Sequence, residues 1–500
     1  MSISTIPIMQ AILSHLKGNP GSYHVPGHKM GRGLDGAMGS WLSQASRLDL
    51  TEIPGLDDLH APEGAIREAQ RLAAEAFGAQ ETYFLVNGST AGNLAMILTA
   101  ISPGEKLLVP RNLHKSVLNG LVLAQAQPVF YHPEVDEQFG IASGVAVETV
   151  REIVQAHPDA RALLIVSPTY HGICSDLRAV AEIVHTAGMM LLVDEAHGAH
   201  FAFHEALPAT AMQAGADMAV QSTHKTLGAL TQASMLHVQG TRVDRTRLRK
   251  RLQLVQSTSP SYLLLASLDV ARHQMQTEGH ARLEQALQAV EKGAERLRAH
   301  PHLHLLQKTP GGFEVDPLKW TISVAGLGKT GSHVYEYLHA EKHLTLELSD
   351  PQNVLAVFSY ADGERQVERL VQALEGIPME GASEGFRSNE VLQARSPSEE
   401  LTKSAQTKST ANSSWSSLEA KFLPHVAFEM DTESVPLQRA AGRCAGEMVI
   451  PYPPGIPLIV PGEVWTEELI AHVEALRATQ VRFQGVEDSQ LLEVRVLLRT

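Results

Sequence analysis

Cysteine is almost missing from these 500 residues: Cys174 and Cys444 are the only two. So few exclude a disulfide framework and point to a reducing compartment. Cys174 follows the turn Tyr170-His171-Gly172, but nothing around it makes it a nucleophile rather than a small buried side chain. No apolar run reaches membrane-spanning length, and the first residues have neither the basic start nor the apolar stretch of a secretory leader. The cytoplasm is therefore the expected location, with no membrane partner. Positive charge is in deficit, with 41 Lys and Arg against 55 Asp and Glu and a formal net charge of −14. That balance argues against nucleic acid as a partner and suits a cationic ligand. Internal repeats are missing, as is any His-Glu-x-x-His pair. His197, His200 and His204 crowd behind Asp194 and Glu195. Only His200 and His204 share a helical i, i+4 spacing and no clear third ligand follows, so a metal hydrolase ranks last and no metal is expected.

What the chain does have is bulk and pattern. A composition of 44% hydrophobic and 19% charged residues describes a well-packed globular protein. Its length exceeds what one core holds, so two or three domains are expected. Continuous apolar runs at 162–166 and 189–193 enclose an amphipathic pattern at 177–186, and similar runs lie at 82–86 and 106–110. This alternation predicts an α/β fold with a mostly parallel sheet covered on both faces. The expected division is a large domain over residues 1–300, closing with a charged helical tract at 274–299, and a small α/β domain over 301–378. In the small domain, strands are predicted at 318–324, 344–348 and 354–360 and helices at 331–342 and 364–374. A linker over 379–420, rich in Ser, Thr, Glu, Lys and Asn, buries too little apolar surface to offset chain entropy. A C-terminal α+β domain over 421–500 contains the Pro-rich stretch 451–461, read as a rigid turn.

In parallel sheets the ligand crevice lies beyond the carboxyl ends of the strands, and chemically interesting residues gather at those ends. Asp194 closes one run. Asn87-Gly88-Ser89-Thr90-Ala91-Gly92-Asn93 leads another into a helix. The Gly-Ser-Thr turn offers backbone N–H groups, two hydroxyls and the positive end of the helix dipole to a phosphate, although Ser and Thr are equally the commonest N-caps. After the run 106–110 comes Arg111-Asn112-Leu113-His114, placing a histidine where it could lie flat on a bound ring. Lys225, in Gln221-Ser222-Thr223-His224-Lys225, sits among small polar neighbours, and Ser222 and His224 are placed to tune its proton affinity or hold a phosphate. A lysine and a carboxylate at neighbouring strand ends are what an enzyme needs to bind pyridoxal 5′-phosphate (PLP) covalently and keep its ring nitrogen protonated. PLP is the expected cofactor.

Ser222-Thr223-His224-Lys225, Asp194-Glu195-Ala196-His197-Gly198, Gly88-Ser89-Thr90, His24-Val25-Pro26-Gly27-His28-Lys29 and Pro451-Tyr452-Pro453-Pro454-Gly455-Ile456-Pro457 together resemble the Orn/Lys/Arg decarboxylases, whose PLP-binding large domain has the aspartate-aminotransferase fold. The chain looks like the short form, which begins almost directly with the PLP region. The resemblance implies that Lys225 binds the cofactor aldehyde, Asp194 pairs with the ring nitrogen and His114 stacks on the ring. It also implies that Gly88, Ser89, Thr90, Ser222, His224 and His197 line the phosphate, the lysine or the ring. A homodimer with sites at the interface is implied, in which Thr258 reaches the neighbouring subunit's phosphate and the segments 24–29 and 49–60 approach the partner's site. A place in polyamine biosynthesis follows from the same likeness. Two departures stand out. His197 replaces a Trp of the larger inducible members, and Gln438 and Arg439 stand where related sequences place acids suited to reading a cationic substrate tail.

The expected activity is PLP-dependent decarboxylation of a basic L-amino acid, whether arginine, lysine or ornithine, with Lys225 or His224 returning a proton to Cα. Sequence leaves two alternatives open. An aminotransferase or other lyase would use the same cofactor residues, because the bond that breaks depends on how the substrate carboxylate is held. A catalytically silent PLP-binding homologue is the other.

Overall fold

The computed structural model of the chain describes residues 5–379, 418–452, 455–478 and 481–498. Nearly all of the segment expected as a linker, 379–420, lies outside the described residues. The chain divides into two compact units, one made of residues 1–131, 146–287 and 358–361 and the other of 132–145, 288–357 and 362–500.

The first unit is built on seven strands: β1 (Glu81–Leu85), β2 (Lys106–Pro110), β3 (Gln127–Tyr131), β4 (Ala162–Val166), β5 (Met190–Asp194), β6 (Met218–Gln221) and β7 (Ser234–Val238). Their order across the sheet is β1-β7-β6-β5-β4-β2-β3. The five from β6 to β3 run parallel, while β7 is antiparallel to both β1 and β6. Leu163, Leu164, Ile165, Leu191, Leu192 and Val193 have no exposed surface. Burial on both faces is why β4 and β5 read as continuous apolar runs instead of alternating. Helix α1 (Gly88–Ala100) follows β1, α2 (Lys115–Ala124) follows β2, and α3 (Leu177–Thr186) lies between β4 and β5. The Asp176 side chain caps α3 by accepting the Ala179 N–H at 3.1 Å, which sets its start where the pattern predicts. Gly92 lets α1 lie directly on the sheet: a Cβ there would meet Val220 Cγ2 at 2.3 Å and Leu85 Cδ1 at 2.8 Å.

The second unit holds a four-stranded antiparallel sheet in the order His304–Leu305, Lys319–Ser323, Asn353–Val357, Leu348–Ser349, with helices Gly331–Lys342 and Glu364–Glu375. The strand expected at 344–348 is mostly not one, since only its last residue pairs. His343 takes a left-handed conformation (φ 53°) and Leu344 N–H returns to Leu338 O at 2.9 Å, so the run is used in leaving the helix. The helix expected at 274–299 begins earlier, as Tyr262–Gln274, and continues through a π-helical turn, Met275–Gly279, into His280–Ala299. The C-terminal residues form two antiparallel ladders, Thr432–Pro436 with Glu493–Leu497 and Ile450–Tyr452 with Arg482–Gln484, beside helix Glu467–Ala478. Trp465, Val473, Phe483 and Val496 form their core. Pro451 lies inside a ladder strand, so the Pro-rich stretch starts as sheet before it turns.

Candidate active site

Lys225 sits on a single helical turn, Thr223–Thr226, that begins one residue beyond the end of β6. Its Nζ lies 3.0 Å from His197 Nε2 and 5.5 Å from the centre of the Tyr170 ring. The rings of Tyr170 and His197 are themselves 4.7 Å apart. The amine thus meets the His197 imidazole nitrogen and the face of the Tyr170 ring. His224 points its Nδ1 at Ala233 O, 2.9 Å away, so that nitrogen carries the proton. Burial pushes the His224 pKa down, which keeps the ring neutral around neutral pH. Ser222 Oγ is fully buried and has no hydrogen-bond partner, an expense a protein rarely leaves uncompensated at random.

Asp194 ends β5, next to β6, with Asp194 paired in register with Val220. It is buried, and both of its oxygens accept N–H bonds: Oδ2 from Asn93 Nδ2 at 2.8 Å and Oδ1 from the Ala196 backbone at 3.2 Å. Asn93 also donates to Ser116 Oγ at 3.0 Å, and Ser116 Oγ lies 2.8 Å from His114 Nδ1. His114 is the N-cap of α2, its Nδ1 accepting the Ser116 N–H at 3.2 Å. Burial, the largest influence, pushes the His114 pKa down, while the nearby Asp194 charge opposes. At the start of α1, Gly88 takes φ +69°, a left-handed conformation that glycine adopts without strain, and turns the chain so that Ser89 and Thr90 occupy the first helical turn.

Behind Asp194 lies a wholly buried polar chain. Glu195 accepts from the Ala211 N–H and from Gln221 Nε2, both at 2.7 Å. Gln221 Oε1 is 3.0 Å from His237 Nε2, and His237 Nδ1 is 2.8 Å from Thr82 Oγ1. Burial pushes the Glu195 carboxyl up to about 8 and the His237 ring down to about 3, so both are uncharged near neutral pH.

The fold brings Lys225, His197, His224, Ser222, Asp194, His114, Gly88, Ser89 and Thr90 to one end of one sheet. Thr258 stands apart, exposed in the bend between helices Arg245–Val255 and Tyr262–Gln274. The three histidines weighed as metal ligands disperse: His197 goes to Lys225, whereas His204 Nε2 pairs with Glu284 at 2.9 Å and its ring stacks on His280. Among the described residues the one cluster of potential ligands is His204, Glu205 and His280. There His204 Nδ1 accepts the Ala206 N–H at 3.2 Å, which leaves the proton on Nε2, the nitrogen facing the carboxylate. His204 and Glu284 are thus a hydrogen-bonded pair, and His280 Nε2 meets Glu205 Oε2 at 3.0 Å. Sequence reading missed Asn93, Ser116 and Tyr170. Asn93 did carry a signal, as a polar residue one helical turn after Ser89 on an otherwise apolar helix, but nothing in the sequence marked Ser116 or Tyr170 as neighbours of the site.

These residues fit PLP. An amine, a carboxylate held by two N–H donors, an unpartnered buried hydroxyl at Ser222 and the open N-terminus of α1 supply the donor set that its aldehyde, ring nitrogen and phosphate require. A lysine and an aspartate at adjacent parallel strand ends of such a sheet define the class of PLP-dependent enzymes with the aminotransferase fold. The arginine decarboxylase of Halalkalibacterium halodurans is 40% identical over 98% of this chain and 97% of its own, and that of Bacillus subtilis 38% over 99% of both. The crystal structure of the lysine decarboxylase of Francisella novicida superposes with a TM-score of 0.82 at 21% identity, covering 98% of this chain and 81% of that one, a likeness of fold. Family models for the Orn/Lys/Arg decarboxylase major domain and C-terminal domain match residues 6–310 and 407–490. The chain belongs to the Orn/Lys/Arg decarboxylase family, and its activity class is decarboxylation of a basic amino acid.

Proposed function

We propose that this protein decarboxylates arginine to its amine and carbon dioxide, with PLP carried on Lys225. The observation that carries the reading is the juxtaposition of Lys225 and Asp194 at the ends of β6 and β5, in a chain 40% identical to an arginine decarboxylase. When bound, PLP supplies the electron sink for the pair left on Cα as the carboxylate departs. The protein's residues supply everything else. Asp194, braced by Asn93 and the Ala196 N–H, would hold a proton on the ring nitrogen. His114 offers a neutral ring face for stacking. Ser89, Thr90 and Ser222, with the N-terminus of α1, hold the phosphate. His197 and Tyr170 position the Lys225 amine, which would be the group placed to return a proton to Cα.

The working form in this reading is a cytoplasmic homodimer or larger homo-oligomer. Tyr23, Val25 and Trp41 are 96%, 64% and 87% exposed within one N-terminal segment, side chains that a neighbouring subunit could cover. Thr258, exposed as well, is free to reach a neighbouring subunit's phosphate. The deciding experiment incubates the PLP-loaded protein with arginine, lysine and ornithine and measures carbon dioxide and amine. Arginine is expected to give the highest kcat/KM. Keto-acid-dependent amino transfer without carbon dioxide would overturn the reading.

A further inference from the structure

Between Asp194 and His114 runs an unbroken hydrogen-bonded path that the chemistry above does not require. Its two middle members, Asn93 and Ser116, are each 1% exposed and come from different helices, α1 and α2. The direction of every proton in it can be worked out. The Ser116 backbone N–H can only donate, and it meets His114 Nδ1 at 3.2 Å, so Nδ1 is bare. The Ser116 hydroxyl, 2.8 Å from the same nitrogen, therefore donates to it as well. That leaves a Ser116 Oγ lone pair to accept from Asn93 Nδ2, and the second Nδ2 proton goes to Asp194 Oδ2. Asn93 cannot be turned over, because its Oδ1 would then face the carboxylate oxygen as a second acceptor. Its Oδ1 is in fact buried without a partner, a cost accepted to keep the amide nitrogen pointing at Asp194 and Ser116.

We propose that Asn93 and Ser116 are positioning residues that lock the His114 ring, through the chain Asp194–Asn93–Ser116–His114, in the single neutral tautomer with its proton on Nε2. The value of such a lock rests on the PLP reading. Asp194 keeps a heterocycle cationic, and an imidazolium stacked on that ring would face a like charge, whereas a neutral imidazole does not. The same carboxylate that fixes one ring's charge thus orders, through two side chains, the protonation of the other.

The test is nitrogen NMR of full-length protein carrying ¹⁵N-labelled histidine, with and without PLP, combined with the pH profile of kcat/KM. Wild-type protein is expected to show His114 with a bare Nδ1 and a protonated Nε2 in both forms. Ser116→Ala loses the closer hydroxyl donor at 2.8 Å and keeps the backbone donor at 3.2 Å, so it is expected to raise the population of the other tautomer, to move the acid limb of the profile toward higher pH and to lower kcat/KM about tenfold, the loss of one hydrogen bond. Ser116→Thr is expected to restore all three. A protonated Nδ1 in wild-type protein would overturn the proposal even if no variant folds. An unchanged tautomer and superimposable pH profile in folded Ser116→Ala would overturn it too. The expected tautomer in a protein that takes up no PLP would uphold the lock and sink the cofactor assignment instead.

Discussion

Two neighbouring acids, Asp194 at the end of β5 and Glu195 just after it, take opposite roles because their surroundings differ. Asp194 receives two N–H bonds beside the lysine, while Glu195 is buried where nothing positive faces it and is pushed up to about 8. The folded chain therefore holds a proton at Glu195 that the unfolded chain releases above its ordinary value of 4.5. That contribution to stability is complete below 4.5 and is lost as pH rises toward about 8. His237 acts in the opposite sense: folded, it stays neutral down to about 3, so its contribution is present above its ordinary 6.5 and is lost as pH falls from there. Glu195→Gln is expected to flatten the alkaline decline of Tm, and His237→Gln the acid decline, each by a few degrees in thermal unfolding followed by circular dichroism. Lys225→Ala is expected to lower kcat by ~10³-fold or more and to abolish borohydride fixation of PLP to the chain. At this scale the sequence was informative about chemistry and silent about partners. Lys225, Asp194 and Ser222 could be picked out by residue type and place after a strand. That Asn93 bridges to a serine 23 positions later depends on how two helices pack, and no local pattern encodes it.

Among the elements, α1 has a demanding fit. Its first turn faces the crevice and its fifth residue, Gly92, touches the sheet, so packing and binding are set by one helix position. Gly92→Ala would drive a methyl into Val220 and Leu85, and the helix must lift to admit it. A loss of about 1–3 kcal/mol is expected, together with weaker PLP binding as Ser89 and Thr90 move. Urea unfolding and cofactor titration would measure both. The buried strands β4 and β5 and helix α3 were legible because burial on both faces writes a continuous apolar run and burial on one face a helical period. Residues 344–348 misled through a different pattern. Leu344, Leu346 and Leu348 alternate with Thr345 and Glu347 as in a half-buried strand, but the left-handed turn at His343 used most of the run in leaving the helix.

For the whole molecule, the open question is assembly. Replacing Trp41 with Glu puts a charge on an exposed apolar side chain of the N-terminal segment, and sedimentation is expected to show dissociation with loss of activity although Lys225 is untouched. Sequence alone determined the class of fold and pointed to PLP and to Lys225 and Asp194 as the residues to hold it, because residue type, continuous apolar runs and a helical period are local features. It also ordered the family's motifs along the chain well enough to name the chemistry. Only the tertiary structure decided which side chains meet: His197 with Lys225 instead of with His200 and His204, Asn93 with Asp194 and Ser116, Glu195 with Gln221 and His237. Those pairs are separated by tens of residues, and their protonation states depend on burial and on the direction of each hydrogen bond, quantities that do not exist until the sheet has closed over them.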